Sequence, residues 1–167
     1  MSIVTHSEQR IGIFIDIENL YYSAKNLFRA RVNFRQLLKD ITAGRKLIRA
    51  IAYVIKTEKG EERTFFDALS RLGIETKIKE LQVYSGFKKA DWDVGITVDA
   101  IKISPMIDTV IILSGDGDFV PLVEYLKNLG KQVEVVSFAK STSSKLKESV
   151  DNFFDIGSAR KYFYKGQ

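Results

Sequence analysis

Polar and apolar positions along the chain follow two rhythms. Runs of branched apolar residues at 11–16, 47–55, 74–83, 110–113 and 133–138 read as β-strands, the uninterrupted ones as strands covered on both faces. Between them, apolar residues return every three or four positions, which predicts helices over 20–28, 34–41 and 61–72. Asn33 suits the cap of the second helix and Gly73 the end of the third. Residues 94–103 are apolar on more than one side, which predicts a largely buried helix. Phe119, Leu122, Val123, Leu126 and Leu129 repeat the helical spacing, with Pro121 in the first turn and Gly130 just past the end. A Ser/Thr/Lys loop at 139–147 enters a last helix, and residues 153–156 read as a short edge strand.

Strands alternating with helices imply an α/β fold, one doubly wound and mostly parallel sheet with helices on both faces. No internal repeat or linker divides it. Residues 1–10 read as a polar tail, 11–157 as the domain and 158–167 as a basic, aromatic tail.

The pattern breaks most abruptly at Ser114-Gly115-Asp116-Gly117-Asp118, where a buried strand meets a glycine-spaced turn bearing two aspartates. The carboxyl edge of an open α/β sheet is where ligands bind. Asp16 ends the first strand, so neighbouring strands would bring Asp16, Asp116 and Asp118 to one place. Asp93, near the start of the 94–103 helix, can point back to the same edge. Asp99 lies about 120° round that helix from Asp93, so it suits a second-shell or structural position; Asp91 reads as an exposed turn residue. Each acid alone also has an ordinary explanation as a turn residue or cap, Asp118 in particular as the cap of the helix at Phe119.

Composition narrows the chemistry. With no cysteine and a single histidine, His6 in the leading tail, thiolate zinc sites, disulfides and serine–histidine triads drop out. What remains is carboxylate, lysine, hydroxyl and a borrowed metal. Oxygen-only ligands favour Mg²⁺ or Mn²⁺ over zinc, and such an ion lowers the pKa of bound water and neutralises a phosphodiester under in-line attack. The chain carries 26 Lys+Arg against 21 Asp+Glu, a formal charge of +5, so acid clusters sit within a basic protein, as suits action on a polyanion. Candidate phosphate contacts are Lys88 and Lys89, and the loop bearing Lys140, Ser141, Thr142, Ser143, Ser144 and Lys145. Asn19 suits a phosphate contact, the orienting of a carboxylate, or a helix cap. Tyr21, Tyr22, Lys25, Arg29, Arg31 and Arg35 mix aromatic and basic side chains, as stacking on a nucleic acid or an ordinary solvated helix face would. No G-x-G-x-x-G follows the first strand and no P-loop signature occurs. No apolar run approaches a membrane span, and residues 1–10 lack the apolar stretch of a signal peptide, so the expected location is cytoplasmic.

Three stretches, Ile13-Phe14-Ile15-Asp16-Ile17-Glu18-Asn19-Leu20, Asp93-Val94-Gly95-Ile96-Thr97-Val98-Asp99-Ala100 and Ser114-Gly115-Asp116-Gly117-Asp118-Phe119, resemble the NYN domain family, the LabA-like branch of the PIN-like nuclease superfamily. A weaker likeness at 144–156 extends it to the closing helix and strand. The resemblance implies a PIN-like fold and a Mg²⁺/Mn²⁺-dependent ribonuclease. It implies that Asp16, Asp93, Asp116 and Asp118 occupy the acidic metal positions, Asn19 the polar position after the first aspartate and Asp99 a further acidic position. The expected function is therefore endonucleolytic hydrolysis of RNA. The alternative is a non-catalytic RNA-binding or regulatory module on the same fold. A haloacid-dehalogenase-type phosphatase fits less well, because Asp16-Ile17-Glu18 has glutamate where a second aspartate belongs. A TOPRIM-like domain fits least, its first acid normally being glutamate. RNA is the expected partner, with no membrane, and self-association into a homo-oligomer is left open.

Overall fold

The computed structural model describes residues 5–56, 63–84, 87–89 and 91–165, with backbone only for 82–84, 87–89 and 165. Its strands are β1 (Arg10–Asp16), β2 (Ala30–Val32), β3 (Lys46–Lys56), β4 (Glu75–Glu80), β5 (Gln82–Tyr84), β6 (Phe87–Lys89), β7 (Thr109–Leu113), β8 (Gln132–Ser137), β9 (Asn152–Asp155) and β10 (Phe163–Lys165). Six of them form one sheet in the order β4-β3-β1-β7-β8-β9, and every pairing in it is parallel. The chain builds outward from β1 through β3 to β4, then returns to lay β7 on the other side of β1. The order thus reverses between β1 and β7, and their C-terminal ends flank the crevice that such a reversal opens.

Alternation along the strands divides the core in two. Ile11, Ile13 and Ile15 of β1, with Ile111 and Leu113 of β7, face one side. There they meet α1 (Ile17–Phe28), α2 (Phe34–Thr42) and α3 (Arg63–Arg71) through Leu20, Leu37 and Leu69. Phe14, Ile112 and Tyr53 face the other side, against α4 (Asp93–Ile103), α5 (Val120–Asn128) and α6 (Ser144–Ser149). Both faces of the sheet are covered, as expected of a doubly wound fold. Each fully buried Ile or Leu in these layers contributes roughly 1.5–3 kcal/mol.

Several local expectations need correction. The 74–83 run is not one strand: β4 ends at Glu80, and β5 pairs antiparallel with β6 in a separate ribbon. The stretch expected as a basic loop, 85–89, therefore contains strand at 87–89. Helix α4 is not largely buried. It lies on one face of the sheet, so Ile96, Ala100 and Ile103 are covered while Val94 and Val98 stay 74% and 47% exposed. The terminal segment is no free tail, because β10 pairs antiparallel with β2 and the Tyr162 hydroxyl donates to Asp40 at 2.7 Å. At the other end, Arg10 already belongs to β1. The first helix starts at Ile17 rather than Leu20, since Asp16 caps it, and Asn33 caps α2 by accepting from Gln36 N–H.

Candidate metal centre

The acidic turn follows directly from β7. Past Leu113 the Ser114 side chain folds back, its hydroxyl donating to Asp16 Oδ2 at 3.1 Å and accepting from Asp116 N–H at 3.2 Å. Asp116 then caps a single 3₁₀ turn (Gly117–Phe119), Oδ1 accepting from Asp118 N–H at 2.9 Å. The cap is thus Asp116, not Asp118. Helix α5 starts after that turn without a side-chain cap, which leaves the Asp118 carboxylate exposed and at liberty to serve a ligand.

Gly115 is required by its neighbours. A Cβ there would lie 2.9 Å from Thr142 Oγ1 and 3.1 Å from Thr142 Cα, closer than side chains approach. Ser143 N–H reaches across to Gly115 carbonyl oxygen at 3.0 Å, so the loop after β8 locks the turn from behind. On the opposite flank, Asn19 Oδ1 accepts from Gly115 N–H at 3.0 Å. Of the three roles open to Asn19, the structure shows neither a cap nor an oriented carboxylate: its side chain ties the first turn of α1 to the acidic turn.

Helix α4 supplies the third acid. Asp93 is its first residue, and its N–H is held by Asp91 Oδ1 at 3.1 Å. Trp92 anchors this start, donating from Nε1 to the Val54 carbonyl at 3.0 Å. The result is a cluster in which Asp93, Asp116 and Asp118 each offer a carboxylate oxygen, all within 4.8 Å of one another. Asp16 stands beside this trio and not in it, with Oδ1 accepting from Asn19 N–H at 3.4 Å and Oδ2 from Ser114. Among the described residues no Lys or Arg pairs with any of the four carboxylates.

Electrostatics record the crowding. Burial, then the charge of Asp116 and a hydrogen bond shared with it, push Asp93 up to about 7. Burial also pushes Asp16 up to about 6, against the opposing pull of Asn19 N–H and Ser114, with Asp116 and Asp91 adding repulsion. Glu18 is raised too, first by burial and then by Asp16 and Asp91. Carboxylates that repel one another without a cation present a demand that a divalent ion meets.

The remaining candidates fall elsewhere. Asp99 accepts from Tyr53 hydroxyl at 2.8 Å and Lys77 Nζ at 2.7 Å, side chains of the neighbouring strands β3 and β4; it is not one of the three grouped acids. Ser143 caps α6 through Leu146 N–H, and Ser141 hydroxyl donates to Ser23 at 3.1 Å. Ser144 and Lys145 are exposed at the start of α6. The Lys88 and Lys89 side chains lie outside the described residues. Sequence reasoning gave no separate role to Ser114 and Glu18, and read Asp91 only as an exposed turn residue, whereas its side chain holds the start of α4. Ser114, a small hydroxyl closing a run of apolar residues at a strand end, was the legible signal among them.

With this geometry, the relatives carry weight. The family model for the NYN domain matches residues 10–157. The chain belongs to the NYN domain family. Over 93% of its length and 88% of the relative's, it is 27% identical to the low amplitude and bright protein LabA of Synechococcus elongatus. It is 28% identical to the uncharacterised protein MJ0482 of Methanocaldococcus jannaschii, matching 90% of this chain but 56% of that one, so it spans little more than half of that relative. A solved structure of VPA0982, a protein of unknown function from Vibrio parahaemolyticus, superposes with a TM-score of 0.88 at 34% identity, covering 97% of this chain and all of that one. The NYN domain is a branch of the PIN-like nucleases, and in this member three aspartates are grouped as a metal ion would need them. No helix among the described residues is long and apolar enough to cross a membrane.

Proposed function

We propose that this NYN domain is a divalent-metal-dependent ribonuclease. The observation that carries the reading is the trio itself: Asp93, from the start of one helix, and Asp116 and Asp118, from the turn after the central strand, converge within 4.8 Å with no described cation among them. The donor set fits a hard cation, since it consists of carboxylate oxygens alone, and Mg²⁺ or Mn²⁺ are the ions that suit it. When bound, such an ion supplies Lewis-acid stabilisation of a phosphodiester and activation of water.

The chain's own residues do the rest. Asp93, Asp116 and Asp118 hold the ion. Asp16 sets the turn by accepting from Ser114, which in turn receives Asp116 N–H, so the Asp116 carboxylate is aimed by two successive hydrogen bonds. Asn19 fixes the turn against α1 through Gly115 N–H. Asp118 is exposed, as are basic residues that include Lys25, Lys140 and Lys145. They suit the phosphates flanking a scissile bond.

Cleavage of labelled single-stranded and structured RNA, by wild type and Asp116→Asn, in Mn²⁺, Mg²⁺ or EDTA, tests the reading. Cutting by wild type that both EDTA and the substitution abolish is the expected result. RNA binding with no cutting in any metal would replace it with a binding module, and cutting that survives in Asp116→Asn would remove the turn from the chemistry.

A further inference from the structure

Helix α1 carries two faces at helical spacing. Ile17, Leu20 and Ala24 are buried against the sheet. Glu18, Tyr21, Tyr22 and Lys25 recur at i, i+3, i+4 and i+7 on the outward side. That second face holds two tyrosines, 49% and 51% exposed, in a place where a solvated helix ordinarily carries short polar or charged residues. Their rings meet edge to face, 5.4 Å between centroids, and Lys25 Nζ stands 6.0 Å from the Tyr21 ring. The face begins at the acidic centre, because α1 is capped by Asp16 and bound by Asn19 to the backbone of Gly115. From there it runs outward along the helix for about 10 Å at 1.5 Å per residue. The turn bearing Lys140 is tied to a different flank of α1, by the Ser141–Ser23 hydrogen bond, with Lys140 Nζ 5.9 Å from the Phe28 ring. Val94 and Val98, uncovered on α4, are aliphatic and offer no ring for a base to stack on.

We propose that the Tyr21–Tyr22–Lys25 face of α1 is a stacking platform that feeds single-stranded RNA into the acidic centre, with bases on the tyrosines and a phosphate on Lys25. This deepens the ribonuclease reading and rests on it for the identity of the polymer. Base–aromatic stacking works for any base whose face is free, so the platform selects unpaired strands over duplex and tolerates sequence. The adjoining Lys25 matches the charge of the backbone and makes binding salt-dependent.

The test is fluorescence anisotropy in EDTA, where no cutting occurs. The probes are a short labelled single-stranded RNA, its duplex, and a strand of equal length lacking bases. Wild type should favour the single strand. Tyr21→Ala/Tyr22→Ala should weaken that binding about tenfold or more, leave the baseless strand unchanged, and keep the wild-type urea midpoint; Tyr21→Phe/Tyr22→Phe should bind as wild type. No preference for single strand over duplex, no single-strand binding at all, or equal affinity in the alanine variant would each overturn the platform. Failure of the two readings is separable. Tyrosine-dependent binding without Mn²⁺-dependent cutting sustains the platform and removes the nuclease; cutting that is indifferent to the alanine substitutions does the reverse.

Discussion

At the edge where the strands begin, Arg45 and Glu134 are almost wholly buried, 2.8 Å apart, with Arg45 also donating to the Ile41 and Thr42 carbonyls. Arg10 and Asp108 pair there too, through two side-chain bonds and one from the Arg10 backbone. At the edge where the strands end, burial, with repulsion among Asp16, Asp93 and Asp116 added to it, raises the proton affinity of Asp16 and Asp93, with no described basic partner. The same parallel sheet therefore has one end whose charges are internally neutralised and one whose charges await a cation. Acids at the first edge hold the fold together; acids at the second are held in place by the fold at a cost to its stability. Removing a carboxylate should consequently have opposite effects at the two ends.

The sharpest break in that contrast comes from charge removal itself. Glu134→Ala leaves the Arg45 guanidinium buried and unpaired, and should cost about 3–5 kcal/mol in urea unfolding. Asp116→Asn, measured in EDTA, should leave stability unchanged or raise it, since it relieves like-charge repulsion. A large loss in Asp116→Asn would mean that the acidic turn is a structural element and erase the distinction.

Next in size is the response to metal. Mn²⁺ at a hundred times its dissociation constant should stabilise wild type by about 2.7 kcal/mol, read as a rise in the urea midpoint. The rise should vanish in Asp116→Asn. Glu134→Gln, if it folds, should retain it.

Acid titration separates the edges by sign. Asp93 has a folded-state pKa of about 7, above the unfolded value of about 4. The folded chain thus binds the extra proton, and metal-free stability should fall as pH rises from about 4 to about 7. Asn at position 93 should flatten that limb. Asp108, lowered to about 2 chiefly by its hydrogen bond from Arg10, does the opposite: its contribution is present above pH about 4 and is lost as pH falls through the folded value. Urea midpoints across pH in EDTA would show both limbs, and their disappearance from wild type would refute the electrostatic difference between the edges. The smallest effect belongs to Arg10→Met, a half-exposed pair near water, whose midpoint near neutral pH should fall only modestly and whose low-pH limb from Asp108 should disappear.

How far the sequence reached is clearest at particular residues. The strand–turn–helix around Ser114–Phe119 and the convergence of Asp16 with the acidic turn follow from strands ending in aspartate and from the parallel α/β alternation, both local signals. The glycines of the turn were visible as punctuation, but the reason for Gly115 lies in Thr142, a residue of another loop. The roles of Asp16 and Asp99 were less legible. Both are acids in the right stretches, yet Asp16 is occupied by Ser114 and α1, and Asp99 by Tyr53 and Lys77.

Local chemistry decided which residues form strands and helices, where the sheet's acidic turn falls, and that only oxygen ligands are on offer, because periodicity, capping and residue type act over a few neighbouring positions. Which three carboxylates meet within 4.8 Å, why α4 leaves Val94 in water, and that the C-terminal segment closes on β2 were decided by the tertiary structure. Those outcomes depend on side-chain direction and strand order, and residues distant in sequence set both.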